Sequence, residues 1–206
     1  MMQRSIWGLV YALVVAFLCL GFSWTPALLF LLLAGVAYEF TQLPNLSPKL
    51  RSAGILYAFA SALATGWLWG VGGGQSIFAV FVLIWLSDSM AYVGGRLWGR
   101  RPMAPVLSPK KTWEGLAVGL ICTFGVGHVL LHSVLHTSMA LSLLLPATVA
   151  AAAPVGDLVG SYFKRVSGVK DSGVFLPGHG GFLDRLDSYL LSSVVLVLIL
   201  IAVQTF

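Results

Sequence analysis

The sequence is poor in charge and almost devoid of cysteine. Only 9% of its 206 residues are Asp, Glu, Lys or Arg, against 58% hydrophobic, and its mean hydropathy is +0.93. A water-soluble domain needs far more polar surface to cover its core, so soluble classes are excluded and the solvent is lipid. The 2 cysteines, Cys19 and Cys122, lie inside apolar stretches, with neither metal-site spacing nor a disulfide framework. The formal charge of +5 comes from basic residues in short loops between apolar runs, so no nucleic-acid partner is expected. Internal repeats and low-complexity tracts are also lacking.

What is present is a series of seven apolar segments, near 5–22, 26–43, 54–71, 75–98, 114–135, 140–160 and 184–204. Each approaches the ~20 residues that cross ~30 Å of hydrocarbon. Backbone amides in lipid must bond within their own segment, so these runs are expected to be helices. The expected fold class is therefore all-α, a polytopic integral membrane protein of about seven transmembrane helices. The first segment reads as a retained helix rather than a cleaved signal, because no small-x-small site clearly follows it and further spans come after. Breakers mark the turns at Ser23 to Pro26, Pro44 to Pro48, Gly72 to Gly74 and Pro102 to Pro109. Pro146 and Pro154 interrupt the 140–160 segment, which makes its boundaries the least defined. The organisation reads as one membrane domain, 1–206. Residues 1–72 read as generic hydrophobic helix, and 75–206, with loops 99–113 and 161–183, are expected to form a catalytic part whose loops are cytoplasmic, on the charge pattern and resemblance given below.

The 12 Lys and Arg residues are Arg4; Lys49 and Arg51; Arg96, Arg100, Arg101, Lys110 and Lys111; Lys164, Arg165 and Lys170; and Arg185. They occupy the N-terminus and every second loop, while the loops near 23–25, 72–75 and 136–140 carry none. The positive-inside rule then predicts a cytoplasmic N-terminus and a C-terminus outside. The 7 carboxylates, Glu39, Asp88, Glu114, Asp157, Asp171, Asp184 and Asp187, fall at or within about three turns of the same helix ends, which no rule of insertion demands. An ionisable group beneath the membrane surface is a functional candidate by default. Glu39 is balanced between such a role and simple pairing with a nearby base.

Asp157, Asp184 and Asp187 read as a metal and polyphosphate site. Asp184 and Asp187, three apart at the start of the last helix, share a face, and Asp157 closes the preceding span from the same side. Hard oxygen donors without cysteine suit Mg²⁺, which takes few protein carboxylates and completes its shell with water and phosphate oxygens. The intervening loop offers Lys164, Arg165 and Lys170, with Gly178, Gly180 and Gly181 around His179, where glycines and a helix start would let amides approach an anion. The run from Ser108 to Glu114, with Lys110 and Lys111, is a second anion-binding candidate. His128, His132 and His136 recur every four residues at the opposite end of the fifth segment, where interfacial polar residues are the default reading. Most of the 7 tryptophans fall near segment ends, as an interfacial belt would.

These residues carry a resemblance. Ser161-Tyr-Phe-Lys164-Arg165, Lys170-Asp171 and Leu176-Pro177-Gly-His179-Gly180-Gly181-Phe182-Leu-Asp184-Arg185-Leu186-Asp187 together resemble the signature of the phosphatidate cytidylyltransferase (CDP-diacylglycerol synthase) family. Asp88-Ser-Met-Ala-Tyr92-Val-Gly-Gly95-Arg96 and Ser108-Pro109-Lys110-Lys111-Thr112-Trp113-Glu114-Gly115 are weaker elements of the same kind. The resemblance covers roughly the last 120 residues. The chain is shorter than many bacterial members, pointing to lost N-terminal helices.

The resemblance implies transfer of the cytidylyl group of CTP to phosphatidic acid in phospholipid biosynthesis, giving CDP-diacylglycerol and pyrophosphate. It implies Mg²⁺, with or without a second, monovalent cation such as K⁺, and a site facing the cytoplasm from the cell's inner (plasma) membrane. On that footing Asp157, Asp184 and Asp187 are expected to hold metal, and Lys164, Arg165, Lys170, Lys110 and Lys111, with Ser108, to face phosphates. His179 contacts phosphate or is structural. Asp88 and Asp171 hold a second cation or orient the bases. Arg185 orders the carboxylates. A homodimer is left open. A CTP-dependent lipid kinase, releasing CDP instead of pyrophosphate, is the alternative enzyme. A transporter is the non-enzymatic alternative, and the midplane charges and paired broken helices that it would normally show are not evident.

Overall fold

The computed structural model describes residues 13, 15–17, 19–20, 25–134, 136–173 and 180–204. Most of the expected first span therefore lies outside the described residues, as do Gly178 and His179. The rest is predominantly helical: α1 Thr25–Gln42, α2 Pro48–Trp98, α3 Trp113–Val129, α4 Met139–Val166 and α5 Leu183–Gln204. A single π-helical turn, Leu130–Val134, extends α3. Four helices are long and apolar enough to cross a membrane: Pro48–Trp98, Trp113–Ser133, Met139–Val166 and Leu183–Val203. Leu29–Gln42 is a shorter apolar helix.

The 51 residues of α2 would span about 75 Å if straight. They do not run straight, because Gly72 and Gly73 leave helical geometry, and Gly73 has φ +59, a conformation open to glycine. Near the start of α2, Gly54 packs on Phe40, whose neighbour Glu39 bonds the backbone of Phe182 and Leu183 at the start of α5. Near its end, Asp88 shares a cavity with Asp184 and Asp187 of the same α5 turn. Both ends of α2 thus meet one end of α5, and the chain doubles back at Gly72–Gly73. The two arms, 48–71 and 74–98, correspond to the third and fourth apolar segments of the sequence.

The other segments keep the expected order with shifted ends. Helix α4 passes through Pro146 and Pro154 without interruption and reaches Val166, well past residue 160. In a membrane bundle, neighbouring groups can satisfy the backbone that a proline frees. Gly168, with φ +75, ends the helix, where the amides of Ser167, Gly168 and Val169 return to the carbonyls of Phe163, Arg165 and Lys164. Lys164 and Arg165 therefore stand on the last helical turn, not on a loop, and their charge complements the negative end of the helix dipole.

The all-helix expectation needs one correction, in segment 99–113. Strands β1 Pro102–Ala104 and β2 Ser108–Thr112 pair antiparallel there, with Pro102 opposite Thr112 and Ala104 opposite Ser108. Pro102, Pro105 and Pro109 deny this stretch a helix, and prolines are tolerated in a ribbon whose strands are both edges. Glu114 accepts the amides of Arg100 (3.1 Å) and Arg101 (3.2 Å), tying the hairpin to the first turn of α3.

Packing depends on small residues, as between membrane helices generally. Gly115, Gly119, Thr123 and Gly127 form the buried stripe of α3, and a Cβ on Gly115 would lie 2.6 Å from the Ala91 carbonyl of α2. Tyr189 is buried between the arms of α2, stacked on Phe81 at 4.5 Å and bonded to Thr65 at 2.9 Å. Large apolar side chains such as Leu56, Phe59, Leu63, Ile121, Val126 and Leu198 are exposed on the outer surface, as suits contact with lipid.

Candidate active site

The seam between α4 and α5 holds the densest charge. Gly156 and Gly160, one turn apart, let α5 approach closely: a Cβ on Gly160 would stand 2.6 Å from the Asp187 Cβ, and one on Gly156 would meet its carbonyl at 2.6 Å. One turn further along α4, the Nζ of Lys164 donates to Asp184 Oδ1 at 2.6 Å and lies 3.7 Å from Asp187 Oδ2. The three side chains are only 8–12% exposed. Buried ions persist only when paired and hydrogen-bonded, and here each carboxylate has further donors. The Ser188 amide serves Asp187 at 2.8 Å, and the amides of Ser172 (2.8 Å) and Gly181 (2.9 Å) serve Asp184.

Helix α1 enters the same network. Glu39, only 6% exposed, accepts the amides of Phe182 (2.7 Å) and Leu183 (2.9 Å) and the hydroxyl of Ser172 (2.6 Å). Of the two readings left open for Glu39, pairing with a nearby base is not what the structure shows; its carboxylate caps a helix start. Amides from 181 to 183, at the start of α5, were expected to approach a phosphate. They instead meet two carboxylates of the protein, which satisfy the orphan donors of the helix.

The third carboxylate of the sequence-read set has its own lysine. Asp157, in the middle of α4, pairs with Lys111 of β2 at 2.6 Å, and Ser161 donates to it at 3.4 Å. Lys111 also approaches the Pro154 carbonyl at 3.4 Å. The structure therefore gathers Asp157, Asp184 and Asp187 around the α4–α5 seam, divided between Lys111 and Lys164. Among the described residues no group of three or more His, Cys, Asp or Glu side chains converges tightly enough to hold an ion unaided.

Two cavities open beside these pairs, and Asp88 lines both. One, of about 420 Å³, also has Asp184, Arg185, Asp187 and Trp85 in its wall. The other, of about 480 Å³, is lined by Arg96, Lys110, Lys111 and Asp157 together with apolar Met103 and Leu116. Acidic groups dominate the first and basic groups the second. Asp88 is exposed and makes no hydrogen bond or ion pair with the described residues. Lys170 and Asp171 are exposed on the loop after α4, and Arg165 there donates to the Val169 carbonyl at 3.0 Å. Ser108 pairs with Ala104 in the hairpin and lines neither cavity. Gly180 packs against the Asp184 carboxylate with φ +78.

Sequence reasoning did not single out Ser172 or Gly160. Gly160 carried a readable signal, the small-xxx-small spacing with Gly156 that permits close helix contact. Ser172 carried none. His128 and His132 stack at 5.7 Å at the far end of α3, away from all of this.

The chain is a helical protein of membrane-spanning character, with a lysine and carboxylate centre beside one acidic and one basic cavity. Residues 68–203 match the model of the cytidylyltransferase family, and the chain belongs to that family. A phosphatidate cytidylyltransferase of Staphylococcus epidermidis is 45% identical over 130 residues, covering 63% of this chain and 50% of the relative. One from Staphylococcus haemolyticus is 46% identical over 126 residues, covering 61% and 48%. One from Haemophilus influenzae is 44% identical over 114 residues, covering 53% and 40%. The chain spans about half the length of the curated relatives it matches or less.

Proposed function

We propose that this protein transfers the cytidylyl group of CTP to phosphatidic acid, releasing pyrophosphate and forming CDP-diacylglycerol. The observation that carries the reading is the meeting of the acidic and basic cavities at Asp88, beside Lys111, Lys164 and three further aspartates. The names of the relatives supply the substrates. A phosphate oxygen of the lipid forms the new bond to the α-phosphorus of CTP, the α–β bridging bond breaks, and its electron pair leaves with pyrophosphate. Such a step needs chiefly positioning and neutralisation of charge.

In this reading Arg96, Lys110 and Lys111 hold phosphate in the basic cavity, whose apolar wall at Met103 and Leu116 suits the start of an acyl chain. The hard oxygens of Asp88, Asp157, Asp184 and Asp187 fit Mg²⁺, which needs only one or two protein carboxylates. When bound, the ion neutralises triphosphate charge and polarises the reacting phosphorus. Lys164, Arg165, Lys170 and Arg185 are assigned to the remaining phosphate charge. Asp171 and a monovalent cation such as K⁺ are assigned to the orientation of that group.

The helix ends bearing Lys and Arg are placed on the cytoplasmic side of the cell's inner membrane, with the arms of α2 crossing as separate spans. That arrangement keeps the seven-span topology, with the N-terminus inside and the C-terminus outside.

Incubating the purified full chain with labelled CTP, phosphatidic acid and Mg²⁺ tests the function. CDP-diacylglycerol and pyrophosphate are expected in equal amounts, and only with the divalent ion. Release of CDP with a phosphorylated lipid would replace this reading by the lipid kinase.

A further inference from the structure

We infer that Glu39 of α1, outside the matched stretch 68–203, is a positioning residue of this active site. It clamps the start of α5 and keeps the Ser172 hydroxyl directed away from Asp184. The inference rests on the cytidylyl-transfer reading for its activity measurement and on geometry for the rest.

The clamp is bidentate. Oε1 accepts the Phe182 amide at 2.7 Å, and Oε2 accepts the Leu183 amide at 2.9 Å. Charge-assisted bonds of this kind are stronger and more directional than neutral ones. The chain is shaped around the carboxylate. A Cβ on Gly173 would lie 2.8 Å from Oε1, and any side chain on Gly181 would collide with both oxygens. One turn before Glu39, Gly35 leaves the space that the Phe182 ring occupies, at 2.8 Å from where a Cβ would be. Among the described residues Glu39 forms no salt bridge, unlike Asp157, Asp184 and Asp187. Its charge is answered by backbone amides and one hydroxyl, so it serves the backbone of the site.

Ser172 links the clamp to the catalytic carboxylate. Its hydroxyl stands 2.6 Å from Glu39 Oε2 and 3.1 Å from Asp184 Oδ2, with one proton for two acceptors. The shorter contact takes the proton. Asp184 Oδ2 then accepts only the amides of Ser172 and Gly181, which set its position. Without the Glu39 carboxylate, two amides of the α5 start lose their acceptor and the hydroxyl proton turns onto Asp184. A small displacement of a reacting constellation by a remote change can lower the rate about 10²-fold.

The test uses full-length protein in liposomes carrying phosphatidic acid. It compares wild type, Glu39→Gln, Ser172→Ala and the double variant, and reads kcat, both KM values and amide hydrogen exchange over 180–184. Glu39→Gln keeps the size and removes the charge. It is expected to lower kcat about 10- to 100-fold with both KM values within about threefold, and to speed exchange at Phe182 and Leu183 but not in α3. The double variant should be no slower than Glu39→Gln, because Ser172 acts through the same carboxylate. Unchanged kcat in folded Glu39→Gln, or losses that multiply in the double variant, would overturn the inference. The two readings fail separately. A wild type without cytidylyl transfer but with faster exchange in Glu39→Gln ends the functional reading and leaves the clamp. An active wild type with unchanged exchange in the variant ends the clamp.

Discussion

Replacing Asp184 by Asn tests whether its pairing with Lys164 is an end in itself. Asp184 Oδ2 accepts the Ser172 and Gly181 amides at 2.8 and 2.9 Å, and Oδ1 accepts Lys164 at 2.6 Å. An amide can keep its oxygen towards the two N–H groups only by turning its NH₂ onto the lysine. That leaves an ammonium with Asp187 at 3.7 Å as its remaining ion partner. Breaking a buried pair from one side commonly costs about 3–5 kcal/mol, so Asp184→Asn should unfold at a visibly lower temperature in detergent. Activity should fall about 10²-fold or more in the fraction still folded, if the carboxylate acts on the transferring phosphate. The two effects separate in the double variant Asp184→Asn with Lys164→Met, which removes both charges together while the Asn oxygen still accepts the Ser172 and Gly181 amides. Removing both members of a buried ion pair is often far less costly than removing one. The double variant should therefore recover thermal stability and stay inactive. Recovery of turnover along with stability would show the pair to be only structural and would refute the site assignment.

Gly160→Ala places a methyl 2.6 Å from the Asp187 Cβ, and α4 and α5 must separate to admit it. Overpacking of this kind costs about 1–3 kcal/mol, and turnover should drop at least about 10-fold, measured beside the unfolding temperature. In a background lacking Cys19 and Cys122, single cysteines at 106 and 168 should label from the cytoplasmic side, and those at 73 and 137 from the other. Labelling of 73 and 106 from one side would break the hairpin reading of α2 as two spans.

Much of this architecture was legible because lipid leaves a chain few choices. Apolar runs of membrane length must be helices, and the described ones stand where the runs do. The doubling back of α2 was announced by Gly72-Gly73-Gly74, since glycine alone readily supplies the φ of +59 found there. The β-hairpin was not foreseen. Its apolar residues are too few and its prolines too many for either period to show, and its place is fixed by Glu114 and by the Lys111–Asp157 pair. The end of α4 was misjudged because proline was weighed as it acts in water. The charges at the site were found by their depth in apolar sequence, but their partners were not. Nothing in a one-dimensional pattern says that Glu39 meets residues 182 and 183 more than a hundred positions later. The glycines of the long motif were read as room for phosphate, and Gly181 proves to be room for Glu39.

The pairing of Lys111 and Lys164 with carboxylates bears on how the proposed chemistry handles charge. The side chains of Lys111 and Lys164 are 25% and 9% exposed, and each ammonium lies against a carboxylate at 2.6 Å. On the proposed reading the substrates bring phosphate charge and the ion that accompanies it into the same space. Lys111 and Lys164 would then be within reach of phosphate, and Asp157, Asp184 and Asp187 would be the residues to hold that ion. Asp88 would join them, because it lines both cavities and no described residue bonds its oxygens. Backbone amides hold Asp184 and Glu39, so both carboxylates are oriented independently of any lysine. On the proposed reading, carboxylates oriented by backbone amides would be preorganised for the transferring phosphate.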